Sequence, residues 1–234
     1  MRILFVASDR MEFTGILGST LQARRESSTT DWTRSARLGG HDVLLTANGV
    51  GWKRAAAAVD AAADFRPHAV VSLGFCGALE GDLESGDIVV GTSVAKTVGQ
   101  AAQAAFACQP VDGPVRRRGV VCSLDRIAQT FEEKRRLRST GACVVEMEAA
   151  GVAGRTQSLG LPFYCVKAVT DLAGETMAND FNSALRPDGH FDTMLILRRS
   201  LTRPTVRLPE LLRLRQRCIR AAHSLGEFFA DCRF

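Results

Sequence analysis

The apolar positions of this chain fall into short unbroken runs, separated by longer stretches with helical spacing. Arg2–Ala7, Val43–Ala47, Ala69–Leu73, Ile88–Val90, Gly119–Cys122, Val144–Val145 and Phe163–Val169 form the short set. These runs are apolar throughout and do not alternate, the pattern of strands covered on both faces. Ala55–Ala63, Phe131–Arg138, Glu148–Ser158 and Leu211–Phe229 read as helices, and glycines punctuate the joints. Alternation of the two element types predicts an α/β/α layer architecture. Two stretches depart from it. Glu26–Leu38 is polar and reads as a loop or hairpin over the surface. Gln100–Arg118 joins a helix-compatible alanine run to the turn-rich P-V-D-G-P-V-R-R-R. No linker-like segment precedes residue 200, so 1–234 reads as one domain with a basic C-terminal helical segment at 198–230.

Composition agrees with a large core. Of 234 residues, 46% are apolar and 24% charged, which excludes a disordered chain, a collagen-like repeat and a disulfide miniprotein. No apolar run has the length that spans a bilayer. The apolar opening Ile3–Ala7 is cut short by Asp9, Arg10 and Glu12, as a strand would be and a signal peptide would not. Seven cysteines form an odd set without a C-x-x-C, and the four histidines have no metal-ligand spacing. Reduced thiols, a cytoplasmic setting and no metal or organic cofactor are the expectations. The net charge of +5 is unevenly spread. Eight arginines between Arg198 and Arg220 face one acid, Glu210, so this segment carries +7 and the remainder −2.

Four motifs bear on chemistry. Asn48-Gly49-Val50-Gly51 joins a strand to a helix, but Arg54 stands where a dinucleotide loop needs its third glycine, which removes the Rossmann dehydrogenase reading. Leu73-Gly74-Phe75-Cys76-Gly77 ends a strand in glycines that let a ligand approach the backbone. Val145-Glu146-Met147-Glu148-Ala149 and Lys167-Ala168-Val169-Thr170-Asp171 place acids directly after apolar strands. Burial there can raise a carboxyl pKa into the range useful for acid catalysis. The structural alternatives are plain: Glu148 as a first-turn helix acid and Asp171 as an N-cap.

Taken together and in this order, the glycine clusters, V-E-M-E-A and the strand ending in T-D resemble the family 1 nucleoside phosphorylases and nucleosidases. Within them the chain is especially similar to the 5′-methylthioadenosine/S-adenosylhomocysteine nucleosidases, from Met1 to about Asp171 and less specifically in the C-terminal helix. The resemblance implies a three-layer α/β/α sandwich around a mixed central sheet, a homodimer, and a purine nucleoside as substrate. It also implies roles: Glu12 as the acid after strand one that activates the nucleophile, and Asp171 as the acid that protonates the leaving base. Glu148 would hold the ribose hydroxyls, with Met147 packed on the sugar, Glu146 beside them, and Gly74, Phe75 and Ile127 lining the substrate.

Cleaving an N-glycosidic bond develops cationic character at C1′ and negative charge on the base, so one carboxyl can protonate the base while another activates water. Phosphorylases of the family commonly carry serine where Phe75 stands, which favours hydrolysis; Arg10, Lys53 or Arg54 are the cations that could supply a phosphate site instead. The aromatic that usually stacks on the base is replaced near Arg126-Ile127, and the segment between Val90 and Gly119 is shorter than in methylthioadenosine nucleosidases. A different 5′ substituent follows, and related enzymes acting on futalosine or adenosylhopane share the scaffold. Two alternatives stand beside the hydrolase: a phosphate-dependent phosphorylase, and a non-catalytic protein using the arginine tail on membrane or nucleic acid. Arg198–Arg220 near an amphipathic helix suits an anionic inner membrane face. Nucleic acid is disfavoured, because no aromatics are interleaved with the arginines before Phe228 and Phe229.

Overall fold

The computed structural model describes residues 1–98 and 101–232. In chain order its elements are β1 (Arg2–Ala7), α1 (Thr14–Gly18), β2 (Leu21–Arg25), β3 (Trp32–Leu38), β4 (His41–Ala47), α2 (Trp52–Ala61), β5 (Ala69–Ala78), β6 (Ile88–Val98), β7 (Ala101–Ala107), β8 (Arg117–Ser123), α3 (Phe131–Arg138), β9 (Ala142–Glu146), α4 (Ala149–Ser158), β10 (Phe163–Asp171), α5 (Thr193–Ser200) and α6 (Pro204–Asp231).

The continuous apolar runs are explained by burial on two faces. In β1, Ile3, Phe5 and Ala7 pack into one layer with Leu225, Phe228 and Phe229 of α6. Leu4 and Val6 point into the other, with Ala58 and Val59 of α2 and Val152 of α4. Fully burying such side chains contributes about 1.5–3 kcal/mol each, so the sheet is fixed by both layers at once. This is the expected three-layer arrangement around a mixed sheet.

The strand order is β10-β6-β8-β9-β5-β1-β4-β3-β2, with β7 on β6 and a further β10–β5 pairing. Because β10 pairs with both β5 and β6, the strands β5, β10, β6, β8 and β9 close into a ring. The sheet β1-β4-β3-β2 runs out from it. β1 and β10 lie parallel to β5 on either side, which brings their carboxyl ends together.

Several expectations change. The stretch read as a loop or hairpin is the hairpin alternative, β3 pairing antiparallel with β2, but it does not lie over the surface: Trp32–Leu38 also pairs with β4 and buries Thr33, Ala36 and Leu38. The alanine run at 101–107 is strand β7, paired with β6. Helix propensity is overridden by an available sheet edge. β6 continues well beyond Val90, and α6 begins at Pro204, carrying Pro209 within it. The exposed strand β2 and helix α5 have no counterpart in the sequence reading; β2 is exposed along its whole length. Trp32 stacks on Phe13 with ring centroids 5.3 Å apart, and Lys96 lies over Trp52 at 3.3 Å. Both tryptophans thus have partners within the chain. Gln100, at the start of the segment read as an alanine helix, lies outside the described residues.

Candidate active site

Glu12 sits in a short 3₁₀ turn (Arg10–Phe13) after β1, capped by Asp9, whose side chain accepts from the Met11 amide. Its carboxylate is buried and held by four hydrogen bonds. Oε2 accepts from the amides of Ser8 (2.7 Å) and Asp9 (3.0 Å) and from the Ser8 hydroxyl (3.0 Å), and Oε1 from the Phe75 amide (2.8 Å). Burial raises its pKa, opposed by these amides and by the charge of Lys167. Gly74, at φ +140°, makes this seat possible: a Cβ there would lie 2.6 Å from Glu12 Oε1. Gly74 itself is not among the described residues of the cavity wall; what the structure shows of it is the room it leaves for Glu12.

The same device recurs at the second acid. β10 bulges between Val169 and Asp171, placing Asp171 opposite Gly77 of β5, and a Cβ at Gly77 would lie 2.7 Å from Asp171 Oδ2. A bulge re-aims a side chain at a strand end. Asp171 Oδ2 accepts from the Lys134 ammonium at 2.5 Å, and Lys134 also donates to the Leu172 carbonyl at 2.8 Å. Lys134 comes from α3 and is fully buried.

Glu146 and Glu148 occupy the β9–α4 junction. Glu146 Oε2 accepts from the amides of Glu148 (3.0 Å) and Ala149 (2.8 Å), so it satisfies the open N-terminus of α4. The same oxygen lies 2.8 Å from Lys167 Nζ, with both side chains 1% exposed. Glu146 Oε1 is buried and without a hydrogen-bond partner among the described residues. Glu148 accepts from the Gly51 amide (2.9 Å) and the Met147 amide (3.2 Å). Gly151 lets α2 come this close, since a Cβ there would meet the Trp52 carbonyl at 1.8 Å. Burial, and then the charge of Glu146, push the Glu148 carboxyl up to about 8.

These groups converge on one cavity of about 380 Å³ whose wall includes Glu12, Phe75, Ile127, Glu146, Met147, Glu148 and Asp171. Every sequence-predicted site residue except Gly74 is on it. Phe181, Phe191, Ile196 and Leu214 line its apolar part. The Ile127 backbone is already paired, its N–H donating to Asn182 Oδ1 (2.8 Å) and its carbonyl accepting from Asn182 Nδ2 (2.9 Å). Cys76 is on the wall, but burial drives its thiol well above the ordinary value, away from a nucleophilic thiolate.

The cations proposed for phosphate are elsewhere. Arg54 is held by Asn48 and, at 2.9 Å, by Asp31, and neither Arg10 nor Lys53 is on the wall. Arg126 is the one cationic residue among the described wall residues, and it is paired with Glu133 at 2.5 Å. The amides of the Asn48–Gly51 turn are also spent, Gly49 on Ser8, Val50 on Gly189 and Gly51 on Glu148.

A family model described as the phosphorylase superfamily matches residues 6–112 and 98–189. The chain belongs to the phosphorylase superfamily. Among its relatives, the 5′-methylthioadenosine/S-adenosylhomocysteine nucleosidase of Aeromonas salmonicida (strain A449) is 26% identical over 192 residues, 69% of this chain and 82% of the relative. That of Shewanella sp. (strain MR-7) is 24% identical over 226 residues, 84% and 95%. A solved nucleosidase from Neisseria meningitidis, in complex with methylthio-immucillin-A, matches with TM-score 0.71 and 20% identity over 98% of both chains. A futalosine hydrolase mutant from Helicobacter pylori strain 26695 gives 0.61 and 18%, over 72% of this chain and 89% of that one.

In this superfamily member the residues that sequence reasoning passed over are the two buried lysines. Lys167 carried a signal: a lone lysine inside the apolar strand Tyr164-Cys165-Val166-Lys167-Ala168 has to meet a buried acid. Burial alone would favour its neutral form, but the charges of Glu146 and Glu148 outweigh this and raise its pKa. Lys134 carried none, standing among the charges of Phe131–Arg138 where a solvated face is the ordinary expectation.

Proposed function

We propose that this phosphorylase-superfamily chain is a purine-nucleoside N-ribosyl hydrolase acting on a 5′-modified adenosine-type nucleoside. The observation that carries the reading is the convergence of Glu12, Glu146, Glu148 and Asp171 on one cavity that has no unpaired cation among its described wall residues. A phosphate dianion would meet carboxylates there; a neutral water and a cationic sugar would not be repelled. The unpartnered Glu146 Oε1 supports a donor from the ligand, as sugar hydroxyls provide.

In this reading, Glu12 takes the proton of a water as its oxygen bonds to C1′. The C1′–N bond breaks and its electron pair leaves with the base. The base takes a proton through Asp171, which draws it in turn from the Lys134 ammonium that donates to it. Glu148 and Glu146 hold the sugar, Met147 packs against it, and Phe75 and Ile127 form the wall around it. The resemblance supports a homodimer, the seven free thiols support a reducing cytoplasm, and the superfamily match over most of the chain supports residues 1–234 as one catalytic unit.

Adenine release from a panel of 5′-substituted adenosines tests the reading. Release from at least one of them, lost in Asp171→Asn, is expected; no release across the panel would leave a non-catalytic binding protein.

A further inference from the structure

With the identity of its cargo resting on the nucleosidase reading, we propose that the α5–α6 corner docks on an anionic membrane face, presenting the cavity to a nucleoside whose apolar 5′ substituent is held in that membrane.

The first observation is an uncovered apolar ridge. Met194, Leu197 and Leu201 recur at i, i+3 and i+7 along α5 and its C-cap, and Val206 is exposed in the first turn of α6, with exposures of 66%, 46%, 61% and 53%. Spacing of this kind puts side chains on one face of a helix. A contiguous apolar ridge, unlike a scattered leucine, marks a contact surface.

Charge is the second observation. Arg198 and Arg203 are exposed beside the ridge, and among the described residues Arg217 alone of the eight arginines forms an ion pair, with Glu175 at 2.7 Å. Glu210 does not neutralise them. Its carboxylate accepts from the Ala178 and Asn179 amides at 2.7 and 2.8 Å and is used inside the loop. Arg207 is likewise turned inward, donating to the Ala178 and Arg199 carbonyls. The exposed arginines Arg198 and Arg203 thus flank the ridge, and Arg213, Arg215 and Arg220 continue the basic surface along α6.

The third observation is continuity with the site. Thr193 and Ile196, on the same two-turn helix as Met194 and Leu197, line the apolar part of the catalytic cavity. A surface that takes apolar chains and arginine partners therefore adjoins the cavity through the helix that lines it.

Charge decides among the occupants. A second copy docked on this corner would bring two arginine clusters together, whereas an anionic lipid surface neutralises them at about fivefold in affinity per arginine. Nucleic acid would neutralise them too, but residues 193–217 contain no aromatic side chain on which a base could stack.

The test is flotation of the full chain with phosphatidylcholine vesicles, with and without phosphatidylglycerol, at low and high salt. Adenine release from a water-soluble nucleoside is followed in parallel. The chain should float with anionic vesicles at low salt, not with neutral ones, and should be released by high salt. Arg198→Gln/Arg203→Gln should weaken partition by roughly 30-fold, and Leu197→Gln/Leu201→Gln should abolish flotation; both variants should keep wild-type adenine release. Failure to float at low salt overturns the proposal, as does flotation insensitive to the leucine pair. Binding of an oligonucleotide that displaces the vesicles and ignores the leucine pair would also overturn it, by assigning the arginines to nucleic acid. A chain that releases adenine without floating loses only the docking surface; one that floats without turning over any nucleoside loses only the catalytic reading.

Discussion

Replacing Lys167 by methionine removes the fully buried cation paired with Glu146 while keeping most of the volume of its stem. Lys167 Nζ lies 2.8 Å from Glu146 Oε2, 3.2 Å from Ser72 Oγ and 3.3 Å from the Leu73 carbonyl. Both charged side chains are only 1% exposed, so water cannot replace the lost partner. Breaking such a pair from one side costs about 3–5 kcal/mol, because the remaining charge is left buried. For a chain of this length each kcal/mol is worth about 2–4 °C, so the melting temperature should fall by roughly 10 °C. A second effect separates function from folding. The Lys167 charge opposes the burial that raises Glu12 and Glu148, so its loss should move the acidic limb of the kcat/KM profile to higher pH. Calorimetry of Lys167→Met, Glu146→Gln and the double variant, with pH–rate profiles of each, forms the assay. The double variant should recover more than half of the lost stability, since both charges then leave together. A single variant melting within about 2 °C of wild type, or an acidic limb that does not move, would refute the reasoning.

Other expectations follow from the same geometry. Asp171→Asn should reduce turnover about 10²–10⁴-fold and lower the melting temperature, because it leaves buried Lys134 without its partner; Glu12→Gln should reduce turnover alike, and single-turnover adenine release measures both. Lys134→Met should reduce kcat more than it changes KM, because Lys134 touches Asp171 and is not on the cavity wall. Gly77→Ala should displace Asp171, whose Oδ2 lies 2.7 Å from the new Cβ position, and so reduce turnover. Glu148 is raised from its ordinary 4.5 to about 8, so the folded chain holds its proton where the unfolded chain has lost it. That contribution is complete below the unfolded value and is lost as pH rises through the folded one. About 3 kcal/mol should disappear between about pH 5.5 and 8, and melting curves of Glu148→Gln should be flatter across that range.

The parts of the fold legible in the sequence were those with strong local signals. Unbroken apolar runs marked β1, β5 and β10 because both faces of these strands are buried, and V-E-M-E-A and T-D marked the junctions where the acids emerge. Elements defined by their neighbours were not legible. The alanines of β7 have no strand preference of their own and are strand because β6 offers them an edge. Trp32–Leu38 looks polar, yet Ala36 and Leu38 reach the core from it. In the site, the carboxylates could be named from motifs, but their supports could not. Gly74 and Gly77 matter through space denied to a Cβ by residues distant in sequence. Lys134 and Lys167 matter through ion pairs closed across 37 and 21 positions of chain. Nothing local encodes those distances.

The central claim is that water, activated at Glu12, attacks C1′ of a 5′-modified purine nucleoside. The most direct measurement is turnover of such a nucleoside in phosphate-free buffer made with oxygen-18 water, read by mass spectrometry of the sugar product. The account predicts free adenine and a reducing sugar carrying one heavy oxygen at C1, at a rate that added phosphate does not raise. A ribosyl 1-phosphate formed only when phosphate is added, with no heavy oxygen at C1, would contradict it.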